Sequence, residues 1–258
     1  MESERQRRVA AVLAVLVTQS TVAAAQVNVE PFREQLPEER WGARLRASVA
    51  SYAGNTRGVI FGSAGLLGVR SSRHFAYLAL TGDYTRLNGA VSVAKWFGHV
   101  RHDYRWTRVL WWEEYGQIES DRFRRVKVRE LIGTGPRIGL VQSPTLQLFY
   151  GVSYMYERTN LDTDQGEGRG EGGAHRLSNY LAVTLEVQER IVLSSVSYCQ
   201  PRFDAPSDLT VLSVSSADFT ITPLLHSRLD TTFRYDSVTP ADVHATDLEL
   251  KSSLELVF

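Results

Sequence analysis

The chain is poor in several features that organise other proteins, and each shortage excludes a class. It has one cysteine, Cys199, in 258 residues. A single cysteine excludes an intrachain disulfide framework. With no basic residue or histidine beside it in sequence, it reads as a small strand residue rather than an activated nucleophile. Neither sign of charge is in excess. The 29 Lys and Arg balance 29 Asp and Glu, so nothing points to a nucleic-acid partner. Long hydrophobic runs are also missing. Beyond an apolar stretch at 9–17, no segment approaches the roughly 20 apolar residues that a membrane helix needs. If the chain spans a membrane, it must do so as a closed β-barrel, the other structure that satisfies its backbone in lipid.

What is present begins with the leader. Arg5, Arg7 and Arg8 precede the apolar run, and Ala23 and Ala25 form an A-x-A arrangement before Gln26. This is the pattern of a secretory signal peptide over 1–25, cleaved after Ala25. No cysteine stands at the cleavage point, which argues against a lipoprotein anchor. The remaining residues, 26–258, form one β domain.

Strand periodicity dominates that domain. Trp41, Ala43, Leu45, Ala47 and Val49 oppose Gly42, Arg44, Arg46 and Ser48; Tyr150, Tyr154 and Tyr156 oppose Phe149, Gly151, Ser153 and Glu157. Similar alternation runs through 177–188, 225–236 and 247–258, and weaker alternation through seven further segments. Side chains with period two point to opposite faces. An oily face against a charged one suits a strand between hydrocarbon and a polar lumen, although the edge of a soluble sandwich alternates in the same way. The expected fold is all-β, an antiparallel up-and-down transmembrane barrel of about twelve strands.

Loop lengths separate the two readings. Links after even-numbered strands are short, near 70–73, 106–109, 141–145, 189–191 and 222–225. Links after odd-numbered strands are mostly longer, at 86–91, 120–123, 160–174, 204–208 and 237–245, with the first hairpin near 54–57 as the exception. Sorting by parity is the outer-membrane pattern, with short periplasmic turns and longer external loops. Trp41, Trp106, Trp111 and the terminal Phe258 fall at the short-turn level, where aromatic residues form an interfacial girdle.

Several short stretches carry a family resemblance. They are Trp96 to Tyr104 with its His102-Asp103-Tyr104, the Glu113-Glu114-Tyr115 strand leading to Phe123, the glycine strand with Gly133, Gly135 and Gly139, and the closing Leu256-Val257-Phe258. Together they resemble the salt-induced outer-membrane protein family, domain of unknown function 481. Pro136, within the glycine strand, departs from the family pattern. The resemblance implies a barrel in the bacterial outer membrane and no particular activity. It also implies that the lipid bilayer and the barrel-assembly machinery are the partners, with Phe258 resembling the assembly signal.

Catalytic constellations are weak. No histidine is followed two residues later by serine, the arrangement outer-membrane lipid hydrolases resemble one another in. His226 and Ser227 are adjacent and face opposite ways. His244 and Asp247 lie near a rim with no second pair, which leaves a protease unsupported. His99 and His102, three apart on one strand, make a poor metal pair. The expectation is therefore no enzyme, no cofactor and no metal. On the alternation, Arg44, Arg46, Lys95, Arg101, Arg129, Arg137, Arg228, Asp230, Arg234, Lys251 and Glu255 point into the lumen, as do His99, Asp103, Arg105, Lys127 and Glu249. Basic residues outnumber acidic ones in this set. It suits a narrow channel for small anionic solutes; the alternative is a non-conducting structural or adhesion barrel filled by paired charges.

Overall fold

The computed structural model describes residues 30, 40–53, 57–161, 172–187, 190–222, 225–240 and 243–256. The expected signal peptide and Phe258 lie outside them. The described chain forms twelve strands: β1 (Arg40–Tyr52), β2 (Gly58–Arg70), β3 (His74–Leu87), β4 (Ala90–Arg105), β5 (Leu110–Asp121), β6 (Val126–Gln142), β7 (Leu146–Leu161), β8 (Gly172–Val187), β9 (Ile191–Pro201), β10 (Leu209–Thr222), β11 (Leu225–Asp236) and β12 (Thr246–Leu256). Each pairs antiparallel with the next, in sequence order, as one meander.

The sheet curls into a barrel. Lys95 on β4 lies 3.9 Å from Glu249 on β12, and Arg124 beyond β5 donates to Asp236 on β11 at 2.8 Å. Strands far apart in the meander touch only if the sheet wraps around an interior. Among the described residues no helix is long and apolar enough to cross a membrane.

The distribution of side chains is inverted relative to a protein in water. Leu45, Val49, Leu80, Val100, Ile132 and Leu248 are exposed on the outer face, whereas Arg101, Arg137, Glu113, Asp103 and Glu157 are buried within. An apolar exterior around a polar interior is the transmembrane-barrel arrangement. Two pairs of outward-facing hydroxyls bond to each other, which suits a lipid surround. Ser195 and Ser197 on β9 lie 2.8 Å from Ser215 and Ser213 on β10.

Loop parity holds for the three longest links but not throughout, since the link after β5, 122–125, is no longer than that after β4, 106–109. The longer links 162–171, 202–208 and 237–245 gather at one end and the links after even-numbered strands at the other. The link expected to be long near 86–91 is instead a tight Asn88-Gly89 turn. Both residues have positive φ, 49° and 84°, which suits the primed turns that match strand twist.

Glycine on β6 and β7 serves close approach. A Cβ on Gly133 would meet the Tyr115 ring, one on Gly135 the β7 backbone, and one on Gly151 the Tyr180 ring. The lumen is packed over these bare positions. Pro136, which cannot donate to a ladder, sits where the β6–β7 register passes from Thr134↔Tyr154 to Arg137↔Gly151. Gly151→Val should destabilise the barrel by about 1–3 kcal/mol or more through overpacking. Urea unfolding in micelles checks this, and an unchanged midpoint would show that the ring does not rest on β7.

Candidate functional site

The interior is a ladder of paired charges. Towards the short-turn end, Arg137 donates twice to Glu30, at 2.8 and 2.7 Å, and lies 3.7 Å from Glu113. Glu113 also accepts from the Tyr180 hydroxyl at 2.6 Å and lies 3.5 Å from Arg101. The two guanidiniums rest on aromatic faces, Arg137 at 4.0 Å from the Phe149 ring centre and Arg101 at 5.1 Å from that of Tyr115, contacts that favour a desolvated cation. Towards the long-loop end, Arg129 bridges Glu119 at 3.2 Å and Glu157. Arg176, fully buried, binds the Asp208 carboxylate at 2.8 Å and the Gln200 carbonyl at 2.6 Å. Buried charges of this kind persist only when paired and hydrogen-bonded.

Little space is left between them. The void among Arg101, Tyr115, Arg129, Tyr180 and Arg234 is about 10 Å³, the size at which a single water begins to fit. At the long-loop end the packing gives way to a vestibule of about 420 Å³, lined by Lys95, Glu119, Arg124, Arg129, Arg234, Asp236 and Glu249 among others. Outside the strands, Arg202 donates to Asp204 at 2.9 and 2.6 Å in the β9–β10 link. That hydrogen bonding holds the Asp204 carboxyl below the usual carboxylate range.

The structure places the expected lumen residues unevenly. Arg101, Arg129, Arg137 and Arg234 are buried inside. Lys95 pairs with Asp83 and Glu249 at the vestibule, each at 3.9 Å. Arg228 and Asp230 pair with one another at 2.9 Å, and Arg228 with Asp218 at 3.0 Å. The side chains of Arg44, Arg46, Lys251 and Glu255 lie outside the described residues. His99 is buried beside Gln117, whereas His102 faces outward with its Nε2 3.0 Å from His74.

Two positions need correction. Lys127 is exposed rather than lumenal, because the β6–β7 register slips between Val126 and Val128, and a bulge turns the strand's facing by one residue. Trp111 is not a girdle residue. It points inward and meets Phe149 edge-on at 5.6 Å. Its neighbour Trp112 takes the outer face and stacks with Trp106 at 6.1 Å. Trp41 is exposed on the outer face at β1. The expected excess of basic over acidic charge also fails, since Glu113, Glu119 and Glu157, absent from the expected set, pair with its arginines.

Residues 45–258 match the family described as "Protein of unknown function, DUF481". The chain belongs to this family. The DUF481 match takes in eleven whole strands and most of β1, so it includes the Trp96–Tyr104 stretch on β4 and the glycine strand β6. No curated protein sequence matches the chain. Among solved structures, one titled "Bacterial polysaccharide outer membrane secretin" overlaps with a TM-score of 0.42 at 8% identity, covering 83% of this chain and 88% of that one. So loose a likeness has no bearing on function.

Proposed function

We propose that this DUF481 protein is an occluded barrel of the bacterial outer membrane, a binding or structural element rather than a diffusion pore. The observation that carries this reading is the filled interior. Arg101, Arg137, Arg176, Asp103, Glu113 and Glu157 are each at most 3% exposed, and the void between the ladders holds one water at most. A wall of twelve strands falls between filled eight-stranded barrels and open 16-stranded porins, so the decision rests on side chains rather than circumference. On this reading 1–25 is removed on export, the longer loops face outward, and Phe258 engages the assembly machinery. The barrel performs no chemistry of its own.

Planar-bilayer recording tests the proposal. Folded protein should give no discrete openings. Anion-selective steps that reverse preference when Arg101 and Arg129 are changed to Glu would overturn it and support a channel for small anions.

A further inference from the structure

Among the described residues, one interior guanidinium has a buried terminal nitrogen without an acceptor. Arg234 on β11 is 7% exposed, and its Nη1 is buried with no hydrogen-bond acceptor among the described residues. Its charged neighbours are Arg124, Arg129, Glu119 and Asp236. Both carboxylates are already engaged. Asp236 accepts from Arg124 at 2.8 Å and from Thr210 at 2.7 Å. Glu119 accepts from Arg129 at 3.2 Å and from Gln117 at 3.1 Å. Two further guanidiniums stand beside Arg234 and repel it. A buried guanidinium nitrogen without an acceptor is costly, and such exceptions call for a functional account.

Position supplies that account. Arg234 lines both the small void of the packed interior and the 420 Å³ vestibule above it. It therefore stands at the vestibule floor, where a solute entering from the long-loop end would stop. Thr232, two residues away on the same face, and Lys95 line the same space. The volume lies within the range of small-molecule sites.

We propose that the vestibule floor is a binding site for a small oxyanion, taken up by the Arg234 guanidinium. Its planar fork matches two oxygens of a carboxylate or phosphate group. The surrounding Glu119, Asp121, Asp236, Asp247 and Glu249 repel polyanions, so the site selects a compact group of low charge. The site does not depend on whether the lumen conducts.

Isothermal titration of the full chain, folded in detergent micelles, with inorganic phosphate at constant ionic strength tests this. Parallel titration with acetate reports which oxyanion class the fork takes. The wild type should bind one of the two saturably, at one site per barrel. Arg234→Gln should weaken that binding at least 10-fold, while its unfolding midpoint stays equal or rises because a buried donor without an acceptor, beside two other guanidiniums, is gone. Arg234→Lys keeps the charge but loses the fork, and should bind several-fold more weakly than wild type. Binding of neither ion, wild-type affinity in either variant, or a lowered midpoint in Arg234→Gln would each overturn the proposal.

Discussion

Ile132→Arg should block assembly of the barrel. Ile132 lies near the middle of β6 and is 65% exposed, on the outer face between the inward Leu131 and Gly133. A guanidinium at that depth would meet hydrocarbon, at a cost of about 2–4 kcal/mol near the midplane and less towards either interface. Lys127→Gln, also outward but at the strand's end, should assemble as wild type does. The heat-modifiable gel shift of membrane fractions reads both, since folded barrels migrate anomalously until boiled. Normal assembly of Ile132→Arg would mean that this face meets water, and the barrel reading would give way to a soluble sandwich.

Arg137→Met should have the largest effect on a barrel that has already assembled. The change keeps much of the side-chain volume over Phe149 but removes both hydrogen bonds to Glu30 and one of the two guanidiniums beside Glu113. Removing one member of a buried pair leaves the other charge uncompensated, which costs about 3–5 kcal/mol. Arg202→Gln should cost clearly less, because its pair with Asp204 in the β9–β10 link is exposed to solvent. Urea unfolding of the refolded protein, followed by tryptophan emission, separates the two. A loss below about 1 kcal/mol in Arg137→Met would mean that water reaches this ion pair and that the interior is open.

The wall of the barrel was largely legible from alternation. Tyr150, Tyr154 and Tyr156 stand outside and Phe149, Ser153 and Glu157 inside, as period two requires. The contents of the barrel were less so. Arg176 was missed because the alternation was read from Leu177, whereas β8 begins at Gly172 within the stretch taken for loop. Lys127 was misplaced because a bulge leaves no mark in the pattern of residues. Trp111 could have been placed from its own strand, since it shares parity with Glu113 and Tyr115. Its nearness to a turn suggested the girdle instead. The pairing of Arg129 with Glu119 and Glu157, or of Arg137 with Glu30, depends on strand stagger and on contacts across the lumen. Neither is written in any local stretch, so a list rich in arginine suggested an anion path where the folded interior is balanced.

The most direct test of a packed, ion-paired lumen is the rate at which a charged thiol reagent reaches its small inward residues. Ser178 and Ser194 point inside and are 2% and 3% exposed, and cysteine is close to serine in size. In a Cys199→Ser background, Ser178→Cys and Ser194→Cys, folded in lipid bilayers, should resist a water-soluble methanethiosulfonate and react fully once unfolded. Rapid modification of either thiol in the folded barrel would contradict the account and show a water-filled lumen.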